Sequence, residues 1–248
     1  MEGLNALKRC IAEAKHIAFL GGAGVSTESG IPDFRSESGR FEAIREFGEE
    51  PETLLSRAFF LRYPERFFAY YKKALLVTDA GPNPAHKALC ELEKIGKLTA
   101  VITQNIDGLH QKAGSKNVLE LHGSIYRNTC MGCGKSYGIE KILEDEVVPR
   151  CACGGIVKPD VVLYGEGLDT AVLNAAVRHI MEADMLLVGG TSLAVYPAAG
   201  LIDNFRGERL VLINKSATPY DGAASLVIRA PIGETLRAAL ARPEEGAI

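Results

Sequence analysis

Short apolar runs recur along this chain of 248 residues, and most of them end in glycine or in polar residues. They read HIAFLGG at 16–22, LTAVITQN at 98–105, VLELHG at 118–123, VVLYGE at 161–166, DMLLVGGTS at 184–192, RLVLIN at 209–214 and SLVIRAP at 225–231. Because they are rich in Val, Ile and Leu and lack polar alternation, they are typical of strands buried on both faces. Helical patterns at 84–97 and 168–183 lie between them. This alternation predicts an α/β fold with a doubly wound, mostly parallel sheet.

Two stretches interrupt the alternation. Residues 37–78 have a helical pattern rich in Phe and Tyr, which predicts a helical module or lid, although these aromatics could simply pack a helical core. Residues 126–158 contain four of the six cysteines. We therefore predict a main sheet domain at 1–36, 79–125 and 159–248, with two further modules at 37–78 and 126–158.

The clustered cysteines read C-x-x-C, 17 intervening residues and then C-x-C, at Cys130, Cys133, Cys151 and Cys153. In a chain without an export signal, such a cluster favours a metal over disulfides. Four thiolates complete a tetrahedral shell and leave no open position, so the pattern predicts one structural Zn²⁺. Cys10 and Cys90 stand alone in helical patterns and are expected to be small buried apolar residues.

Charge and composition exclude several classes of partner. The 28 basic and 31 acidic side chains nearly balance, which argues against electrostatic binding of nucleic acid or of an anionic membrane. The longest uncharged stretch, 185–202, contains glycines and a proline that would break a membrane span. With no secretory signal at the N-terminus, we expect a cytoplasmic monomer that contacts neither nucleic acid nor membrane.

A glycine loop, Gly21-Gly22-Ala23-Gly24, follows the first apolar run. Backbone amides at glycines can approach a pyrophosphate closely, which suits nucleotide binding. The spacing is not G-x-G-x-x-G, because Thr27 stands three residues after Gly24. A plain tight turn is the alternative for this loop.

Polar residues follow two further runs. Gln104, Asn105 and Asp107 end the second run, where a sheet-edge crevice would lie, although Asp107 could simply cap the next helix. His122 ends the third run, and histidine is the side chain best suited to move a proton near neutral pH. A single histidine is more often structural, but its place at the end of an inferred central strand favours a function.

The segments GGTS at 189–192 and IN at 213–214 end two more runs. Their amides and hydroxyls could hold phosphate or ribose, or they could form ordinary turns. A dehydrogenase would need an acidic residue closing the second strand of its nucleotide unit, and Glu42, at about the right distance, lies in a helical pattern. Hydride transfer is therefore a poor fit.

These motifs together resemble those of the sirtuins, the NAD-dependent protein deacylases. GAGVSTESGIPDFRS, TQNIDGLH, the LHGS histidine, the paired cysteines, KPDVVLYGE and GGTSL…YPAA occur here in the sirtuin order. The resemblance runs from about residue 5 to about residue 240, nearly the whole chain. It implies NAD as co-substrate, one structural zinc, and acetylated proteins or peptides as substrate. It also implies that the main sheet domain is a Rossmann-like NAD-binding domain, that 37–78 is the cofactor loop and helical module, and that 126–158 is the zinc-binding module.

The resemblance also implies individual roles. The implied NAD contacts are Gly22, Ala23, Gly24, Thr27, Phe34, Arg35, Gln104, Asn105, Ile106, Asp107, His122, Gly190, Thr191, Ser192, Asn214 and Lys215. The implied contacts with acyl-lysine and its peptide are Val162, Tyr164, Gly165, Glu166 and Val195. The peptide would add as a strand near 165–168 and 194–196.

The implied reaction begins when the amide oxygen of acetyl-lysine displaces nicotinamide from the anomeric carbon of NAD. His122 would then act as general base through the ribose hydroxyls, and Asn105 would help position water. The products would be nicotinamide, free lysine and 2′-O-acetyl-ADP-ribose. A mono-ADP-ribosyltransferase, a deacylase of longer acyl chains and a non-catalytic nucleotide sensor are the alternatives.

Three departures from the sirtuin pattern bear on these implications. The second cysteine pair is C-x-C where C-x-x-C is common, and Lys158 and Tyr164 stand where Arg and Phe are usual. Members that prefer acidic acyl groups carry Tyr-x-x-Arg where this chain has Phe-Ala-Tyr-Tyr at 68–71. Without that arginine we expect acetyl or longer apolar acyl groups, an expectation that Lys72 or Lys73 could weaken.

Overall fold

The computed structural model describes residues 2–33, 36–145 and 147–241. The helices within these ranges are α1 Glu2–Glu13, α2 Glu37–Phe47, α3 Pro51–Leu54, α4 Arg57–Arg62, α5 Pro64–Leu75, α6 Pro84–Lys94, α7 Leu109–Ala113, α8 Glu140–Glu144, α9 Thr170–Glu182 and α10 Ile232–Leu240. The strands are β1 Ile17–Gly21, β2 Leu98–Thr103, β3 Val118–Glu120, β4 Gly123–Cys130, β5 Ser136–Tyr137, β6 Val157–Val161, β7 Met185–Gly189, β8 Arg209–Ile213 and β9 Leu226–Ile228. None of these helices has the length and apolar character needed to cross a bilayer.

Six strands form one parallel sheet in the order β3-β2-β1-β7-β8-β9. The chain begins this sheet at β1, adds β2 and β3 on one side, and later adds β7, β8 and β9 on the other. The strand order therefore reverses beside β1, and open parallel sheets bind ligands at the carboxyl ends of the strands at such a point. The predicted doubly wound sheet is confirmed, although β3, which precedes His122, is an edge strand and not a central one.

Strand β1 shows why the apolar runs lack polar alternation. Its residues Ile17 and Phe19 pack in one core cluster with α1, α6 and α10. Ala18 and Leu20 pack in a second cluster, together with α9. Since successive side chains of a strand point to opposite faces, both faces of β1 must be apolar to bury both sides of the sheet.

One predicted strand of the parallel sheet is wrong. The run VVLYGE at 161–166 was expected there, but β6 ends at Val161 and pairs antiparallel with β4 in a separate three-stranded sheet of order β5-β4-β6. The run is apolar for another reason, because Val161 and Leu163 are buried in a third core cluster. Apolar composition reports burial but not the strand partner, so the sequence could not distinguish the two arrangements.

The third core cluster joins the helical module to the three-stranded sheet. Aromatic residues of α4 and α5 pack there against Ile125 and Val157, with the rings of Phe60 and Phe67 in edge contact at 4.9 Å between centroids. Most of the aromatics of 37–78 thus pack a core, in agreement with the simpler interpretation, whereas Phe41 and Tyr63 are exposed. The boundaries drawn at 125/126 and 158/159 fall inside β4 and β6, and the division into three parts stays a prediction.

Candidate functional site

The site lies where the loops after β1, β2, β3 and β7 meet at the carboxyl edge of the parallel sheet. The glycine loop lies directly against the loop after β7, because Gly24 N donates to Gly190 O at 2.8 Å. A Cβ atom on Gly24 would lie 2.8 Å from Gly190 Cα and 2.9 Å from Gly190 O. Gly190 itself has a φ of +60°, which favours glycine. Glycine is therefore required where these two loops cross.

A first cavity of about 230 Å³ brings the predicted catalytic and substrate residues together. The predicted residues that line it are Ala23, Gln104, Asn105, Ile106, Asp107, His122, Val162, Tyr164, Gly165, Glu166 and Val195. It is formed between the parallel sheet, the loop after β6 and the helical module, which contributes Leu55, Ala74 and Leu75. Among the described residues no Lys or Arg side chain lines it.

A second cavity of about 300 Å³ lies on the other side of the glycine loop. The predicted residues that line it are Gly24, Thr27, Gly190, Thr191, Ser192, Asn214 and Lys215. Gly22 borders the same loops, since a Cβ atom there would lie 2.9 Å from Thr191 Cβ. Phe34 and Arg35 lie outside the described residues. The segment before them reaches both cavities, with Ile31 and Pro32 on the first and Asp33 on the second.

A chain of hydrogen bonds fixes the polar end of the first cavity. Asn105 Nδ2 donates to Ser26 Oγ at 2.9 Å, and Ser26 Oγ donates to Asp107 Oδ2 at 2.7 Å. The other carboxylate oxygen of Asp107 accepts from Leu109 N at 2.9 Å. Burial raises the pKa of Asp107, while the hydrogen bonds from Leu109 N and Ser26 act in the opposite direction. The amide of Asn105 is thus held by a buried carboxylate through one hydroxyl.

Both interpretations of Asp107 hold in part. The N-cap residue of α7 is Gly108, with a φ of +68°, but the Asp107 carboxylate does bond the first backbone amide of that helix. Its second oxygen remains committed to Ser26. Asp107 therefore ties the start of α7 to the glycine loop and lines the first cavity as well.

His122 lies just beyond β3 with its ring held by backbone. Its Nδ1 is 2.9 Å from Gln104 O, and because a carbonyl can only accept, the ring must carry its proton on Nδ1 to make this bond. In the neutral ring Nε2 then has the lone pair, as a general base requires. His122 O accepts from Val162 N at 2.9 Å, which joins the histidine to the loop after β6.

Ser26 and Pro197 carry information that the sequence patterns missed. Ser26 is 1% exposed and links Asn105 to Asp107, but its sequence context marks it only as one more small polar residue of the loop. Tyr196, within the predicted peptide segment 194–196, lines the first cavity together with Val195, and so does Pro197, which that segment leaves out. In addition, Gln104 Nε2 donates to Thr191 Oγ1 at 3.1 Å, which joins the loop after β2 to the loop after β7.

The four clustered cysteines converge as predicted. Their sulfur atoms all lie within 4.8 Å of one another, with 3.5 Å between Cys130 and Cys153 and 3.6 Å between Cys133 and Cys151. A tetrahedral zinc with four bonds of about 2.3 Å needs sulfur–sulfur separations of about 3.8 Å, so the four thiols fit Zn²⁺. The C-x-C pair reaches the cluster despite its shorter spacing. Cys90 is buried and Cys10 half-buried, both apart from the cluster.

Comparison with known proteins agrees with this geometry. The Sir2 family model matches residues 22–197. An NAD-dependent protein deacetylase of Clostridium acetobutylicum is 57% identical over 95% of this chain and 97% of its own length. A Sir2 structure with a deacetylated p53 peptide and 3′-O-acetyl-ADP-ribose has a TM-score of 0.86 at 37% identity, covering 95% of this chain and 96% of that one. A Sir2 structure with a p53 peptide and NAD⁺ has a TM-score of 0.84 at 37% identity, covering 94% and 95%.

The matched segment begins in the glycine loop and ends at Pro197, which lines the first cavity. It therefore contains His122, the hydrogen-bonded residues Ser26, Asn105 and Asp107, and all four thiols. On the strength of both the family match and the long, closely similar relatives, this chain belongs to the Sir2 family, the sirtuins.

Proposed function

We propose that this protein is an NAD-dependent protein-lysine deacetylase that transfers the acetyl group of acetyl-lysine to ADP-ribose. The observation that carries the proposal is the first cavity, because His122, Asn105 and the loop at 162–166 all line it. Relatives named NAD-dependent protein deacetylase, such as the one from Clostridium acetobutylicum, support the same activity. NAD is consumed as a co-substrate: the bond between nicotinamide and the ribose breaks, and nicotinamide is the leaving group.

The glycine loop and the loop after β7 suit the pyrophosphate and adenosine side of NAD. Gly24 and Gly190 both line the second cavity where the two loops cross, so the backbone of each loop borders that cavity with no side chain at these positions. Thr191, Ser192, Asn214 and Lys215 add hydroxyl, amide and ammonium groups to the second cavity. We assign these residues to the cofactor, together with Gly22, Ala23 and Thr27, and keep Phe34 and Arg35 as predicted contacts.

The first cavity suits the reacting end. The Ser26–Asp107 pair orients the Asn105 amide, which would position a water or a ribose hydroxyl. His122, with its proton held on Nδ1, would accept a proton at Nε2 from the ribose hydroxyls so that the sugar oxygen can attack the acyl carbon. The four thiols lie at the end of β4 and in the loops beside the three-stranded sheet, and they would hold zinc with all four positions filled, so zinc would stabilise that module without a part in the chemistry.

We further propose a preference for acetyl or longer apolar acyl groups. The cavity is lined by apolar side chains of the helical module and the loop after β6, with no Lys or Arg among its described lining residues. Phe68, Tyr70 and Tyr71 are buried in the module core, and Ala74 and Leu75 are the residues of α5 that reach the cavity. An acidic acyl group would be desolvated there without a cation.

The deciding experiment is mass spectrometry of the products from NAD and a panel of acetyl-, succinyl- and long-acyl-lysine peptides. Deacetylation predicts nicotinamide, free lysine peptide and O-acetyl-ADP-ribose in equal amounts, with the succinyl peptide the poorest substrate. Labelling of protein with ADP-ribose and no O-acetyl-ADP-ribose would show a mono-ADP-ribosyltransferase instead. No release of nicotinamide with any peptide would show a nucleotide-binding module without catalysis.

The natural substrates, the cellular location and the oligomeric state are also proposals. We propose acetylated proteins as the natural substrates, and a cytoplasmic monomer that acts without direct contact to nucleic acid or membrane. Light scattering during size-exclusion chromatography tests the monomer, and a mass of twice 26.7 kDa or more would contradict it.

A further inference from the structure

The loop at 162–166 forms one wall of the first cavity but belongs to no strand. It leaves β6 at Val161 and crosses from the three-stranded sheet to the helical module. A loop that must present a fixed wall to a ligand needs fixed backbone, because a displacement of one ångström at a binding surface costs affinity. The contacts that fix the loop at 162–166 should therefore affect how tightly the first cavity binds its ligand.

Lys158, on β6, holds the start of the loop. Its Nζ donates to Pro159 O at 3.2 Å, to Val161 O at 3.0 Å and to Glu166 Oε2 at 3.1 Å. An ammonium group has three N–H donors, and here three acceptors surround it. The side chain is 18% exposed, so water competes little for these bonds.

Glu166 closes the loop from its other end. Its Oε2 accepts from Leu163 N at 2.9 Å as well as from Lys158, and Glu166 N donates to Leu163 O at 2.9 Å. The same carboxylate oxygen therefore joins the backbone of the loop to the ammonium of β6. Glu166 is 21% exposed, which makes this a partly buried ion pair with little solvent screening.

The helical module holds the middle of the loop through backbone. Tyr164 N donates to Leu55 O at 3.0 Å, and Arg57 N donates to Tyr164 O at 2.9 Å. The Arg57 side chain approaches Glu166 Oε1 at 3.9 Å, but it is 61% exposed and adds little in water. The Lys158–Glu166 pair thus adds a partly buried side-chain contact that joins the two ends of the loop.

We propose that Lys158 is a positioning residue for the acyl-peptide site: through Glu166 it locks the loop at 162–166 in the conformation that binds acylated peptide. This inference rests on the proposed function, because it takes an acyl-lysine peptide as the occupant of the first cavity. It also assigns Glu166 to holding the loop and not to direct contact through its Oε2. Lys158 does not line the cavity, so its effect reaches the ligand through the loop.

The test compares five variants in steady-state kinetics with an acetyl-lysine peptide and NAD. Lys158→Met keeps the length of the side chain and removes the charge, and Glu166→Gln keeps an acceptor for Leu163 N. We expect each to raise KM for the peptide roughly tenfold, the size of a charge-assisted hydrogen bond, and to change KM for NAD less than twofold. Lys158→Arg restores a cation beside Glu166 and should recover most of the loss.

Lys94→Met is the matched control, because Lys94 pairs with Glu91 at 2.8 Å in an exposed ion pair on α6, far from the loop in sequence and outside both cavities. It should leave both KM values as in the wild type. The double variant Lys158→Met/Glu166→Gln should lose little more than either single variant, since both remove the same contact. Equal rises in both KM values, fully additive losses, or no recovery with arginine would overturn the proposal.

A second measurement separates this proposal from the proposed function. Hydrogen exchange of the amides at 162–166, without peptide or NAD, should be faster in Lys158→Met than in the wild type and unchanged in Lys94→Met. Unchanged exchange in Lys158→Met would overturn the positioning role even in an active deacetylase. A wild type that forms no O-acetyl-ADP-ribose would instead overturn the proposed function, and the exchange result would still decide whether Lys158 orders the loop.

Discussion

The six-stranded sheet and the cysteine-bearing end of the three-stranded sheet are held together by different means. Strands β1 and β7 are buried along their whole length between two apolar core clusters. Strand β5 has two residues, neither of them buried, and the segment around it has four thiols where the other sheet has aliphatic side chains. The first sheet can rely on hydrophobic burial, whereas so small a segment needs a metal to hold its loops.

This difference also divides the site between the sheets. The parallel sheet supplies the glycine loop, Asn105, Asp107 and His122 from the ends of its strands. The three-stranded sheet supplies the wall at 162–166 through β6. Chemistry should therefore be lost by changes in the first sheet that leave folding intact, and folding should be lost locally by changes in the second.

Loss of zinc should have the largest effect. Structural zinc sites have apparent binding free energies of about 10–16 kcal/mol, so Cys151→Ser should remove both the metal and the local fold. We expect zinc content to fall from one ion per chain to none, and proteases to cut within 131–156 while the parallel sheet stays resistant. Atomic emission and limited proteolysis measure these changes. Cys10→Ser is the control, and a zinc content that survives Cys151→Ser would contradict the assignment.

His122→Ala should have the opposite effect, a loss of catalysis with the fold left intact. Removal of a general base lowers rates roughly 10²–10⁴-fold, so deacetylation should fall by that factor while nicotinamide exchange partly survives. The urea midpoint should change little, because His122 lies at the end of an edge strand. Product formation and nicotinamide exchange are measured side by side. His16→Ala, at an exposed position, serves as control, and an unchanged deacetylation rate in His122→Ala would remove the histidine from the mechanism.

Acid should weaken the parallel-sheet region through a buried pair of histidines. His86 on α6 and His110 on α7 are both buried, with ring centroids 4.6 Å apart. Burial lowers the pKa of His86 to about 4 from the usual 6.5, and it lowers the pKa of His110 as well, with His86 adding to the shift. Below pH 6.5 the unfolded chain therefore takes up protons that the folded chain excludes.

For His86 alone the loss between pH 6.5 and pH 4 should be on the order of 3 kcal/mol, and none is expected above pH 6.5. Urea unfolding followed by circular dichroism suits this chain, which has no tryptophan. The free energy of unfolding should rise with pH across this window, with a smaller slope in His86→Gln. A stability that is flat from pH 4.5 to 6.5 would show that the pair is not neutral in the folded protein.

Gly24→Ala should have the smallest effect of the four. Its Cβ atom would lie within 3.0 Å of three backbone atoms of Gly190, which forces the two loops apart at a cost of about 1–3 kcal/mol. We expect a lower urea midpoint and a higher KM for NAD. In Gly222→Ala the Cβ atom meets nothing within 4 Å, so that variant should match the wild type. Equal effects of the two substitutions would show that the loop crossing is not tight.

Much of the fold and site could be predicted because the signals are local. The apolar runs at 16–22, 98–105 and 184–192 became β1, β2 and β7, and the cysteine spacing placed four sulfurs within one coordination sphere. The run at 161–166 was misplaced because burial in a loop and burial in a strand produce the same composition. Ser26 was missed because a hydroxyl in a loop has no sequence mark that distinguishes a buried link from a solvated side chain.

The sequence by itself determined the class of the fold, the thiol cluster and the polar residues that end each strand, because periodicity and spacing act over a few residues. Only the tertiary structure decided what those residues meet. It brought Gly24 against Gly190, Ser26 between Asn105 and Asp107, and Lys158 against the loop that ends at Glu166. The contacts of Gly24 with Gly190 and of Ser26 with Asn105 and Asp107 join positions 79 or more residues apart. Pairing at that distance is set by packing of the whole core.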